Sequence, residues 1–257
     1  IADIQEYVNW FTKASPEVRF GHDMSPLEPE EEAYVLMQSL FAATLAGFAT
    51  ATDYVTWLNN QDQGIQYRYL RDTLKYLTWQ GLADPGKPFL LKCVANLGLE
   101  AEIVDAFSAS GVNLAYMHRN PLSVVPSASR LGRAFRRAYS DIDADMSGRP
   151  VRMAGQIMRS LKYRESHPAE SFHDICYDKA RTDMRSVIDG LYQYCGLTAT
   201  DQTYENVARW ESDNPKNKHG DWSYTAEEFG FTEEDIRREF SPYNDWIEAV
   251  GICNWTS

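Results

Sequence analysis

From Ala106 to Ser140 the sequence holds five arginines (Arg119, Arg130, Arg133, Arg136 and Arg137) and no aspartate or glutamate. A stretch of that kind suits an anionic ligand. Arg119 is the best placed, because it stands in Met117-His-Arg-Asn-Pro121, where a strand pattern gives way to a helical one. In open α/β sheets ligands bind beyond the carboxyl ends of strands, and a helix N-terminus there offers unpaired N–H groups. Pro121 can open the helix, since the N–H it lacks would have no partner in the first turn. Ser127, eight residues after Arg119, lies about two helical turns along and adds a hydroxyl donor. An arginine fork also matches phosphate oxygens better than a lysine point charge does. Arg130 to Arg137 read more simply as a solvated helix face.

This basic stretch sits in an acidic chain. The 257 residues carry 25 Lys+Arg against 37 Asp+Glu, a net charge of −12. That balance argues against a general nucleic-acid or anionic-membrane binder, whose affinity would come from a basic surface. Hydrophobic residues at 44% and aromatics at 13% suffice for a sizeable core and exclude wholesale disorder. Cysteines 93, 176, 195 and 253 include no CxxC pair. The expectation is therefore reduced thiols in a cytoplasmic compartment, with neither a zinc module nor a disulfide framework.

The elements that position these residues are mostly helical. Apolar periodicity predicts helices over about 3–13, 30–50, 52–60, 64–80, 97–107, 121–139, 146–165 and 180–195, the last closed by Gly196. Strands are predicted at 88–92, 113–117 and 172–177, the first introduced by the turn Asp84-Pro85-Gly86. Helices of this length between strands imply a parallel sheet. The most apolar stretch, Ala33 to Ala51, contains Gln38, Ser39, Thr44 and Thr50 and lacks basic flanks, so it reads as a buried core helix and not a membrane span. Glu28, Glu30, Glu31 and Glu32 precede it, where carboxylates favour a helix N-terminus. The fold class expected is α/β: helix-rich, with a central parallel sheet flanked by helices.

Three segments give this pattern a family. His118-Arg-Asn-Pro-Leu-Ser-Val-Val-Pro-Ser127 resembles the HRDPxxVVPS segment of bacterial-type sulfotransferases that use 3′-phosphoadenosine 5′-phosphosulfate. Asn214-Pro-Lys-Asn-Lys-His-Gly-Asp-Trp-Ser-Tyr224, followed by Glu228-Phe-Gly230, resembles the closing loop of the same family, and Glu28-Pro-Glu-Glu-Glu32 its DEPEEC stretch. The resemblance implies a P-loop-kinase-like sulfotransferase fold in a single domain. Residues of about 1–82 would form the helical acceptor side, and about 83–257 the nucleotide-binding sheet and closing loop. It implies that Arg119 and Ser127 hold the 3′-phosphate, with Lys218, His219 and Gly220 on the nucleotide side. Lys92 would be the cation at the bridging oxygen, and the base would be His22, with Glu31 or Glu32 as the alternative and helix capping as the simpler role for the glutamates.

The same resemblance implies the phosphosulfate nucleotide as cosubstrate and no metal. The partners would be a small-molecule or lipid acceptor and a second copy in a homodimer, with no nucleic acid and no stable membrane insertion. The chain departs from the family at LKSPxH, which here reads Leu91-Lys-Cys-Val-Ala-Asn96, and at the aspartate of HRDP, which is Asn120. The family's GxPRSGTT loop has no counterpart in these residues, and the resemblance places that loop and its strand ahead of Ile1. The alternative is a non-catalytic nucleotide-binding or interaction module. A phosphotransferase is disfavoured because there is no GxxxxGK[ST] motif.

Overall fold

Among the described residues six α-helices precede the first strand: α1 (Ala2–Ala14), α2 (Val18–Gly21), α3 (Ala33–Gln38), α4 (Thr52–Leu58), α5 (Gly64–Trp79) and α6 (Glu100–Phe107). Then come β1 (Leu114–His118), α7 (Pro121–Arg137), α8 (Arg149–Ser166) and β2 (Phe172–Cys176). They are followed by α9 (Tyr177–Thr182), α10 (Met184–Tyr194), α11 (Asp201–Asp213) and α12 (Glu233–Val250). The computed structural model describes residues 2–49, 51–168, 172–215, 218 and 223–255. The chain divides into two compact units. One comprises Ile1–Val112, Leu131–Asp145 and Gln156–Tyr163; the other comprises Asn113–Arg130, Met146–Gly155 and Arg164–Ser257.

In the first, helical unit, Phe11 of α1 is fully buried with Val18, Ala134 and Ala138. A second apolar cluster joins Leu36, Ala42, Tyr67, Leu70 and Ala106, bringing α3, α5 and α6 together. Burying each large side chain contributes about 1.5–3 kcal/mol, so these stripes specify how the helices pack. The second unit holds a parallel pair, β1 beside β2, in the register Leu114↔Phe172 through His118↔Cys176. Helix α12 buries Ile236, Phe240, Tyr243 and Ile247, an i, i+4, i+7, i+11 stripe. Its start is a capping box between Thr232 and Asp235.

The helix expected over 30–50 is broken. Helix α3 ends at Gln38, and Leu40 takes φ +62. The Ser39 hydroxyl donates to the Leu36 carbonyl at 2.6 Å and accepts the Phe41 N–H at 3.1 Å, which diverts the backbone from the helical ladder. The Tyr54 hydroxyl fixes the reversal by donating to the carbonyls of Leu40 and Ala42. The predicted strand 88–92 forms no ladder among the described residues. Its Lys92 N–H goes instead to the Glu32 carboxylate, at 2.8 Å. The predicted helix 180–195 is two helices, because the Asp183 side chain caps a new start by accepting the Ser186 N–H.

The cysteines also depart from expectation. Cys176, ending β2, is disulfide-bonded to Cys253, with Cα atoms 5.5 Å apart and a sequence separation of 77. Gly251, at φ +68, closes α12 and turns the chain back toward that partner; only glycine adopts this conformation without steric cost. Among the described residues no helix is long and apolar enough to cross a membrane.

Candidate functional site

In the sheet unit the β1–α7 turn is built by Asn120. Its side chain accepts the Leu122 N–H at 2.9 Å, and its carbonyl accepts the N–H groups of Ser123 and Val124. This is N-capping, and it leaves Arg119 at the mouth of the helix. The Arg119 guanidinium lies over the Tyr177 ring, 4.6 Å from its centroid, and among the described residues no carboxylate pairs with it. Ser127 is half-buried on α7 and has no hydrogen-bond partner among the described residues. The adjacent Pro126 removes one helical N–H from the same turn. This turn thus carries a half-exposed cation and a capped helix start, with an uncommitted hydroxyl farther along the same helix.

Below it lies a polar network. His118 is buried, with Nδ1 2.8 Å from the Tyr243 hydroxyl and Nε2 2.9 Å from Asp174 Oδ1. Arg164 donates to both Asp174 oxygens, at 2.8 and 2.7 Å, and its guanidinium lies over Tyr116, Phe172 and Trp246. Burial works against the Asp174 charge, but the hydrogen bonds from His118 and Arg164 prevail and hold its carboxyl below the ordinary range. The network ties β1, β2, α8 and α12 together at the end that carries Arg119. The Cys253 sulfur lies 4.0 Å from the His118 carbonyl oxygen.

The other arginines are not a uniform solvated face. Arg136 is only 5% exposed, a burial that helical spacing alone does not reveal. Arg130 donates to the Ser223 carbonyl at 3.3 Å and lies 3.9 Å from Glu228, while Arg137 meets Glu17 and Asp143. Arg149, opening α8, reaches the Ala128 carbonyl at 3.4 Å. Burial, then the charge of Arg152, lowers its guanidinium to about 10. Lys218 is exposed and donates to Asn214 at 3.1 Å; His219 and Gly220 lie outside the described residues.

The helical unit brings together the other three sequence-derived candidates. Lys92 Nζ pairs with the Glu31 carboxylate. His22 Nε2 lies 3.1 Å from Glu30 Oε2, and the other Glu30 oxygen accepts the Glu31 N–H at 2.8 Å. Burial raises the Glu30 pKa, yet the His22 hydrogen bond, the Glu31 N–H and the charges of His22 and Lys92 bring it below the ordinary value. The neighbouring Cys93 thiol is pushed up to about 12 by burial, against the Ala95 N–H and aided by Glu31 and Glu32. It is therefore a protonated thiol at neutral pH and no nucleophile. The helix-capping role expected of the glutamates fails: Glu32 precedes α3 without a side-chain cap bond. These carboxylates bind Lys92, Asn96 and His22 instead, because those donors come from distant parts of the chain that local spacing does not reveal.

Comparison with solved structures defines the fold. The chain is similar to sulfotransferase STF9 from Mycobacterium avium, with TM-score 0.72 and 20% identity over 93% of this chain and 63% of that one. It is similar to sulfotransferase STF1 from Mycobacterium tuberculosis H37Rv, also with TM-score 0.72, at 22% identity over 94% of this chain and 62% of that one. The fold is thus a sulfotransferase fold, and the chain spans under two thirds of the length of either structure. No curated protein sequence matches significantly. The profile of the Sulfotransferase family matches residues 2–201. This chain belongs to the sulfotransferase family.

Proposed function

We propose that the protein transfers a sulfuryl group from 3′-phosphoadenosine 5′-phosphosulfate to a hydroxyl or amine of a small-molecule or lipid acceptor. The observation that carries this reading is Arg119, a guanidinium at a capped strand–helix turn with no carboxylate partner among the described residues. An unneutralised cation at the start of α7, with the uncommitted Ser127 hydroxyl about two turns along the same helix, fits a phosphate. Arg119 and Ser127 would bind the nucleotide's 3′-phosphate, with Lys218, His219 and Gly220 as further binding residues. The cosubstrate supplies the activated sulfuryl group.

Lys92 would offer its ammonium to the charge developing on the leaving oxygen. It is 71% exposed and can reach a ligand, while Glu31 holds it in place until then. His22 would take the acceptor proton on Nδ1, which has no partner among the described residues, while Glu30 orients the ring through Nε2. Glu31 is the second candidate base, but its carboxylate is committed to Lys92. A homodimer in the cytoplasm completes the reading. Reducing compartments keep most thiols reduced, so the Cys176–Cys253 bond weighs against this location, and alkylation of native extracts decides it: a bond retained there overturns the cytoplasmic reading.

The test is calorimetric titration of the full-length protein with 3′-phosphoadenosine 5′-phosphate. Arg119→Ala and Ser127→Ala should each weaken binding by about 1.5–3 kcal/mol, the worth of a charge-assisted hydrogen bond. Unchanged affinity in both variants would sink the assignment. Binding without any product from the phosphosulfate would favour the non-catalytic module.

A further inference from the structure

Glu32 is buried, at 8% exposure, beside the two residues whose chemistry concerns transfer. Its side chain caps no helix and, among the described residues, contacts no cation, and both its oxygens are spent on the short segment that carries Lys92. Oε2 accepts the main-chain N–H of Lys92 at 2.8 Å, and Oε1 accepts Asn96 Nδ2 at 2.6 Å. Asn96 is fixed in turn, because its Oδ1 accepts the Tyr67 hydroxyl of α5 at 3.0 Å. The carboxylate therefore grips both ends of the turn 92–96, which includes the single 3₁₀ turn Val94–Asn96. A buried carboxylate without its hydrogen bonds is strongly unfavourable, so this grip is not easily released.

Lys92 is thereby held at two points by consecutive glutamates. Its N–H goes to Glu32, and its Nζ goes to Glu31. An exposed lysine–carboxylate pair by itself is weak, since the long side chain must give up rotamer freedom. Fixing the lysine backbone against the residue next to Glu31 removes much of that freedom. We infer that Glu32 is a positioning residue, which sets the Lys92 ammonium against Glu31 by clasping the main chain of Lys92 together with Asn96. This rests on the proposed role of Lys92, but the clasp has a readout that needs no turnover.

That readout is the ¹⁵Nζ resonance of Lys92 in the full chain, followed through the carboxylate titration range. In the parent protein Lys92 Nζ should report the protonation of its partner Glu31 and, more weakly, of Glu30, and Glu31→Gln should remove the larger inflection. Glu32→Gln can no longer accept both N–H groups, so the inflection should fall to less than half its size in a protein that remains folded. Combining Glu32→Gln with Asn96→Asp reverses the donor and acceptor and should restore it. If Glu32→Gln fails to fold, Asn96→Ala removes one of the two grips and should lower the inflection likewise. An unchanged inflection in the folded single variants, or no recovery in a folded double variant, overturns the inference. Transfer to 4-nitrophenol separates the two claims. Lys92→Ala should abolish it; a Lys92→Ala protein that still transfers sulfuryl overturns the catalytic reading and leaves the clasp intact. Where transfer is measurable, Glu32→Gln should lower kcat about tenfold with KM little changed.

Discussion

In the helical unit the charges beside the Lys92 turn are matched within the chain, Lys92 with Glu31 and His22 with Glu30. In the sheet unit, among the described residues, Arg119 lies over an aromatic face with no carboxylate, and the half-buried Arg149 meets a carbonyl and a thioether sulfur and no carboxylate. The two arrangements suit different tasks. Paired groups hold protons and orientation at defined values before a ligand arrives. Arginines without a carboxylate among the described residues leave a positive potential, which under the proposed function a bound phosphate would neutralise.

The largest expected difference concerns the disulfide, which lies wholly in the sheet unit. Closing a loop across 77 residues is worth about 4–5 kcal/mol in the chain-entropy account. Cys253→Ser should lower stability in urea unfolding by about that amount. Hydrogen exchange should accelerate in β1, β2 and α12 and not in α1 or α5. Equal acceleration in both units would erase the distinction between them.

Asp174 sharpens the same contrast by pH. Its folded pKa is depressed, so below the unfolded value near 3.9 the unfolded chain binds more protons. Its contribution is complete above that value and is lost as pH falls through the folded one. Asp174→Asn should cost about 1–3 kcal/mol at neutral pH and flatten acid unfolding of the sheet unit. Glu30→Gln, which removes one imidazole partner and not an arginine fork, should do less. The smallest effect has the opposite sign. The Arg149 pKa is lowered to about 10, so its charge opposes folding throughout the range below that pH. Arg149→Met should raise the stability of the free protein by on the order of 1 kcal/mol, and a loss of stability would show that the arginine is structurally partnered after all.

Much of the local structure of the sheet unit was legible in the sequence. The turn at Arg119, the helix starting at Pro121 and the two strands on either side of α7 and α8 follow from local signals: a β-rich run, an N-capping asparagine and a proline at the first helical position. What escaped depended on partners far along the chain. The break at Leu40 needs the Ser39 hydroxyl to turn inward and Tyr54 to meet it. The 88–92 strand pattern gave way because a carboxylate 60 residues earlier takes the Lys92 N–H. Cys176 and Cys253 carry no spacing motif, and only the reversal at Gly251 brings them together. Glu31 and Lys92 were each singled out, but their pairing, and the clasp by Glu32 and Asn96, is a tertiary fact.

The Cys176–Cys253 bond makes residues 176–253 a closed covalent ring with Tyr177 at one edge. A protease that cuts the chain at Lys218, in the segment before α12, would linearise that ring without releasing a fragment. Both pieces would migrate as one species until a reductant was added, and the nicked protein would keep α12 fastened to the end of β2. The free ends would then lie in the segment after α11, while the strand end beneath Arg119 stayed stitched. Cleavage there is thus separable from loss of the C-terminal helix, and a nicked, unreduced protein would show what that segment contributes by its continuity alone.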